Sequence, residues 1–326
     1  MPAQDTTPLL SDYHGLPLHT GITQVREPPS IAREASHSVW PWLSQRALVF
    51  LRASIVVYLT ALTPVLFSNK VAESAAKNLT LWSILFDFST ISHVLQWLWH
   101  LMSFLWSFKY HSEGFETDED HRRFLSRALS ILSPCTRSST SNFYYTVLYT
   151  AAYIATVLNA IIYWAVLVPH EHGGSSQDEA FGNCWFKILS TIHLYGVSPI
   201  IASGEVVFLN SIEHQRPLSS QVLPVVFLLS NYLGWAAIGN TMTGHYPFFW
   251  MDPQEMGGTK LVAAYGSGFV AMGPAAFAAM RGLTLLRDNL AKYFSRRGQY
   301  IQIHDSEDDE EHVSIRPGNV SARDHV

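Results

Sequence analysis

Long apolar runs constrain this chain more than any other feature. Six of them, with few charged side chains inside, lie at roughly 47–68, 80–108, 143–168, 185–210, 220–242 and 260–286. A soluble core rarely uses uninterrupted runs of about 20 apolar residues, whereas a bilayer requires them. Only 14% of the residues are charged, against about 25% in ordinary soluble domains. The runs therefore predict an all-α, polytopic membrane helical bundle with about six transmembrane helices. Net charge −5 leaves no basic face for nucleic acid. Two cysteines make no disulfide framework, and no zinc-finger, P-loop or dinucleotide fingerprint is present.

Lys and Arg set the orientation of such a bundle. If the N-terminus is cytosolic, 17 of the 21 basic residues fall on the cytosolic side, including Lys109, Arg122, Arg123, Arg127 and Arg137 in the loop 109–142. Lys70, Lys77, Lys187 and Lys260 remain for the other face. Both termini are therefore expected in the cytosol. No basic segment leads into an apolar stretch at the start, so the first span is expected to act as the targeting signal. The expected organisation is a disordered cytosolic tail over 1–46, a six-span domain over 47–287 and an acidic cytosolic tail over 288–326. The block Asp305–Glu311 repels itself and can bury nothing. Residues 5–10, Asp-Thr-Thr-Pro-Leu-Leu, resemble an acidic dileucine signal, which makes Leu9 and Leu10 a candidate site for a sorting adaptor. In the last span, Ala271, Ala275 and Ala279 recur every fourth residue and predict close helix packing.

A polar side chain in hydrocarbon costs several kcal/mol unless it finds a partner, so each one inside a span is a functional suspect. These are Asp87, His93 and His100 in the second span, Asn159 in the third, and His193 and Glu205 in the fourth. Thr80 opens the second span on the non-cytosolic side. His193 lies about 12 Å inside the fourth from the same side, at 1.5 Å per residue. The aromatic loop 243–259 belongs to that face as well. A hydroxyl and an imidazole are the minimum parts of an acyl-transfer site, in which the ring takes the hydroxyl proton as oxygen attacks a carbonyl. A Thr at a helix start is more commonly a cap, and a buried His more commonly an inter-helix hydrogen-bonding group.

Four patches extend this reading. They are residues 79–84 (Leu-Thr-Leu-Trp-Ser-Ile), 192–205 (Ile-His-Leu-Tyr-Gly through Ser-Gly-Glu), 213–217 (Glu-His-Gln-Arg-Pro) and the Tyr-Pro-Phe-Phe-Trp-Met-Asp loop within 243–253. Taken in order, they resemble the androgen-induced-gene family of six-span membrane proteins, whose characterised members hydrolyse fatty acid esters of hydroxy fatty acids. The resemblance covers residues 47 to 287. It implies a threonine-dependent lipid-ester hydrolase in the endomembrane system, with Thr80 as nucleophile and His193 as its base. His245, Tyr246 and Glu205 are then assigned to substrate binding, the substrate is a membrane lipid, and no metal or organic cofactor is implied. Asn78-Leu79-Thr80 is also a formal glycosylation sequon, expected to be unmodified.

Three other readings compete. A non-enzymatic transporter, channel or scaffold would use the same apolar runs, although no internal repeat is visible. His93 and His100, seven apart, have the spacing of stacked haem ligands but lack a facing pair. His170-Glu171-His172 could touch a metal, but no second cluster completes the site.

Overall fold

The computed structural model describes residues 31–76, 78–113, 139–171, 185–212 and 218–313. Every regular element among them is helical. The sorting sequence at Leu9 and Leu10, the basic residues from Arg122 to Arg137, the 213–217 patch and both cysteines lie outside the described residues.

The elements are α1 (Ile31–Ser36), α2 (Gln45–Ala76), a 3-10 turn (Leu81–Phe86) and α3 (Phe88–Glu113). Next come α4 (Ser139–Ile162, continued by Tyr163–Leu167 and Val168–Glu171) and α5 (Trp185–Leu209). A second helical pair, α6 (Leu218–Thr243) and α7 (Thr259–Val313), is joined through a 3-10 turn at Phe249–Met251. Five of these helices, α2, α4, α5, α6 and α7, are long and apolar enough to cross a membrane. The chain is a multi-pass helical membrane bundle.

Helix α3 is long enough to span but falls outside that group because it is amphipathic in an unusual sense. Ser89, Ser92, His93, Gln96, His100, Ser103 and Ser107 recur every three or four residues and form one helical stripe. All of them are buried. In hydrocarbon, apolar side chains gain nothing by turning inward, while polar groups gain partners only there. The outside of the bundle obeys the same rule, with Phe50, Val57, Phe67, Leu223 and Phe227 exposed. α3 lies between α2 and α4, and α4 in turn packs on α5, α6 and α7.

Two boundaries differ from expectation. The second span was expected to begin at Thr80. Instead α2 stops in a Schellman turn, with Asn78 at φ 55, Asn78 N bonded to Ala75 O (3.1 Å) and Leu79 N to Ser74 O (2.8 Å). After the 3-10 turn, Asp87 starts α3 by accepting from Thr90 N (3.0 Å) and Thr90 Oγ1 (2.9 Å). The carboxylate at a helix N-terminus also meets the positive end of the helix dipole.

Part of the chain before the first span joins the bundle. Ile31, Ala32 and Ala35 of α1 are buried against α3 and α4. Trp40 Nε1 donates to Val207 O (2.7 Å) and Ser38 Oγ to Phe208 O (2.6 Å). At the other end, α7 continues past residue 287 to Val313.

The last carbonyls of α5 show why those contacts exist. A helix leaves its final four carbonyls unpaired. Here Arg52 donates to Leu209 O, and Arg287 Nη1 to Val206 O (3.1 Å) and Asn210 O (3.0 Å). Both arginines are buried.

Candidate functional site

The polar stripe of α3 organises the interior into tiers, each pairing with a different neighbour. At the Asp87 end, Lys70 Nζ lies 3.4 Å from Asp87 Oδ2. Ser89 Oγ donates to Asn159 Oδ1 (3.0 Å) and lies 3.0 Å from Tyr195 Oη. Tyr195 stacks flat on Tyr163, with centroids 3.7 Å apart.

The next tier holds the histidine expected from the sequence. His193 is fully buried. Its Nδ1 lies 3.1 Å from Tyr58 Oη, and its Nε2 lies 3.4 Å from both His93 Nδ1 and Ser198 Oγ. His93 Nε2 lies in turn 3.1 Å from Thr63 Oγ1. Tyr58, His193, His93 and Thr63 thus form one line of hydroxyl, imidazole, imidazole and hydroxyl, with Ser198 Oγ as a side contact at His193 Nε2. With one proton per ring, the line has two self-consistent settings. In one, Tyr58 donates to His193, His193 to His93, and His93 to Thr63, whose own proton goes to Leu59 O (2.8 Å). In the other, every donor and acceptor is reversed. Passing between them moves protons along the line.

One tier further, Gln96 Nε2 donates to Ser198 O (2.9 Å). Beyond it, Arg52 Nη2 pairs with Glu205 Oε1 at 3.2 Å, with both side chains buried. Arg52 also donates to Ser103 O (2.9 Å) and Ser107 Oγ. His100 Nδ1 lies 3.9 Å from Glu205 Oε2. The tier is incompletely satisfied, since Arg52 Nε, His100 Nδ1, Ser103 Oγ and Glu205 Oε2 have no hydrogen-bond partner among the described residues.

Three π-helical turns coincide with these tiers. They run over Tyr163–Leu167, His193–Val197 and Glu205–Leu209. His193 and Glu205 each open one. A π turn widens the helix by one residue and is often found at functional sites. In α5 it places two polar residues, about 18 Å apart along the axis at 1.5 Å per residue, on the inward face.

The structure does not bring Thr80 and His193 into contact. Thr80 is exposed at the start of the 3-10 turn, where its backbone oxygen accepts from Ser83 N (3.0 Å) and its side chain makes no cap bond. Ser83 Oγ is tied to Ser74 Oγ (3.1 Å). Ser74 stands about 16 Å further along α2 than Thr63, at 1.5 Å per residue. Thr80 therefore belongs to the end of the bundle and His193 to its interior.

Two other expected residues lie at that same end. His245 is exposed and, with Lys70, Ser74, Leu79, Ser83 and Asp87, lines a cavity of about 80 Å³. Tyr246 is half-buried and packs on the core, beside the buried Phe248, Trp250 and Met251. The aromatic loop thus closes the Asp87 end over Phe88, Tyr232 and Phe269. Glu205 belongs instead to the Arg52 tier. His170 stacks flat on Phe249, with centroids 3.8 Å apart. No group of three or more His, Cys, Asp or Glu able to hold a metal gathers among the described residues.

Sequence reasoning singled out His93 and His193 but not Tyr58, Thr63 or Arg52. The signal for α3 was available, since its polar residues repeat with helical period inside an otherwise apolar run. No comparable signal marks Tyr58 or Thr63, each a single hydroxyl among apolar neighbours. Compared with known families, with curated proteins and with solved structures, the chain matches none.

Proposed function

We propose that this chain is an integral membrane hydrolase of lipid esters, fatty acid esters of hydroxy fatty acids or chemically similar lipids. The observation that carries the reading is the line of two imidazoles and two hydroxyls through His193, with both imidazoles buried in a membrane bundle. General-base removal of a hydroxyl proton needs a neutral imidazole within hydrogen-bond reach, and that line supplies it. Acyl chains would enter laterally from the bilayer. The 243–253 loop would cover the end of the site.

The assignment of Thr80 as nucleophile rests on the resemblance of residues 79–84 alone. To react with His193, the 77–87 segment would have to leave the Ser74–Ser83 contact and swing inward. Tyr246 and His245 would then face an entering substrate, while Glu205 would act from the opposite tier by holding Arg52. The proposed location is the endomembrane system with both termini in the cytosol, and Leu9 and Leu10 would serve a sorting adaptor there.

The test is labelling of purified protein by a fluorophosphonate probe together with hydrolysis of a long-chain acyl ester. Wild type should label and hydrolyse, and His193→Ala should lose both while still eluting as a folded species. A wild-type protein that neither labels nor hydrolyses would end the hydrolase reading.

A second reading, a proton-coupled transporter or channel, is supported by one specific observation. The buried polar tiers follow one another along α3 from Lys70–Asp87 to Arg52–Glu205, and polar chains of this kind mark ion and proton routes in membranes. Proton flux into proteoliposomes loaded with a pH-sensitive dye would favour it. Flux equal to that of protein-free vesicles would remove it.

A further inference from the structure

We propose that the hydroxyl served by the buried histidines is Thr63, with His93 as its base and His193 as a positioning residue. This inference rests on the hydrolase reading and names a different nucleophile for it.

The argument begins with the order of atoms. In a hydrolytic triad, the nucleophile meets Nε2 of a histidine whose Nδ1 is held by a third group. Here Thr63 Oγ1 meets His93 Nε2 at 3.1 Å, and His93 Nδ1 meets His193 Nε2 at 3.4 Å. His193 is held at its own Nδ1 by Tyr58 Oη, 3.1 Å away. In the setting where His93 carries its proton on Nδ1 and gives it to His193, Nε2 is free to accept from Thr63.

Accessibility separates Thr63 from the other hydroxyls of the line. Tyr58 is half-buried and Ser198, the hydroxyl beside the line, is buried, as are both histidines, whereas Thr63 is exposed midway along a spanning helix. An acyl chain lying in the bilayer therefore reaches Thr63 without opening the bundle. Beside it on the same seam, Trp97 Nε1 donates to Thr60 Oγ1 at 2.9 Å. Thr60 lies one turn from Thr63 on α2, and Trp97 one turn from His93 on α3. The Thr60 hydroxyl, which accepts from Trp97 and keeps its own proton to give, is the donor nearest to a developing oxyanion. Local backbone supports the placement, since Pro64 has no N–H to give the Thr60 carbonyl and interrupts the ladder in this turn.

The chemistry balances as follows. Thr63 Oγ attacks the ester carbonyl carbon and its proton passes to His93 Nε2. The ester C–O bond breaks, His93 returns the proton to the departing alkoxide, and an alcohol leaves Thr63 acylated. Water then attacks the acyl carbon and loses a proton to His93. Thr63 departs with that proton, releasing a carboxylic acid. Ester and water become acid and alcohol, with no other reactant.

The experiment is to label the full-length protein in detergent micelles with a fluorophosphonate and map the adduct by tandem mass spectrometry, alongside hydrolysis of a long-chain acyl ester. The adduct should fall on Thr63. The isosteric Thr63→Val should abolish labelling and hydrolysis at unchanged gel-filtration behaviour, and Thr63→Ser should retain both. His93→Gln should slow labelling by about 10²–10⁴-fold, the usual range for a lost general base. His193→Gln should slow it less and shift its pH profile, because the amide oxygen still accepts from His93. An adduct on Thr80, with Thr63→Val fully active, would overturn this inference and leave the hydrolase reading standing. Absence of both labelling and hydrolysis in wild type would overturn the two together.

Discussion

Replacing Glu205 by Leu should destabilise the bundle severely, and adding Arg52→Leu should restore part of the loss. Glu205 is the only carboxylate paired with the Arg52 guanidinium among the described residues, and both side chains are buried. Removing one partner of a buried pair leaves an uncompensated charge and typically costs about 3–5 kcal/mol. The double variant removes both charges. It leaves the acceptors that Arg52 served, Ser103 O, Ser107 Oγ and Leu209 O. Of these, Ser103 O also accepts from Ser107 Oγ (2.9 Å), so Leu209 O is the main orphan, at about 1–3 kcal/mol. The intact pair is itself under-satisfied, because Arg52 Nε and Glu205 Oε2 lack hydrogen-bond partners among the described residues. The double variant should therefore be more stable than Glu205→Leu alone by about 2 kcal/mol, a factor of about 30 in the folding equilibrium. Reversible unfolding in mixed dodecyl maltoside and SDS micelles, followed by tryptophan fluorescence, measures this. If the two substitutions add within about 0.5 kcal/mol, the sites are independent, and the claim that charge desolvation governs this tier is refuted.

Gly239→Ala should destabilise by about 1–3 kcal/mol, since a Cβ there would collide with the Phe86 ring where α6 crosses the 3-10 turn. The thermal midpoint in detergent checks it, and an unchanged midpoint would mean the two elements are not in close contact. For orientation, a cysteine introduced at Arg122 should react with a membrane-impermeant maleimide only after the cytosolic face is opened, and labelling of intact cells would invert the proposed topology. Leu9→Ala with Leu10→Ala should shift the tagged protein toward the plasma membrane or endoplasmic reticulum. An unchanged distribution on imaging would remove the sorting role.

The apolar runs alone were enough to establish a multi-pass helical bundle, because no other structure satisfies backbone hydrogen bonds across hydrocarbon in single segments. They located α4, α5 and α6 to within a few residues and the starts of α2 and α7, whose C-terminal ends run well past the apolar runs. Hydropathy was least reliable where its assumption fails. α3 carries its polar face inward, so its true start depends on the Asp87–Thr90 cap rather than on the beginning of the apolar run at Thr80. Ile31–Ser36 precedes the first apolar run, and six residues without hydropathic character give no hint that they pack against α3 and α4.

His93, His193 and Glu205, which intramembrane polarity singled out, are all buried. Their partners could not be read in the same way. Tyr58 lies 135 residues before His193, His93 lies 100 before it, and Arg52 lies 153 before Glu205. Spacing along one helix says which residues share a face, but not which face of another helix it meets. That choice is made by packing, where α3 fits between α2 and α4, and where the π turns at His193 and Glu205 rotate α5 to meet it. Thr80 and His193 lie on the same expected half of the membrane, yet depth in the bilayer does not amount to contact. The hydrogen bonds that close across the helices, Tyr58 to His193, His193 to His93 and His93 to Thr63, exist only once those helices are side by side.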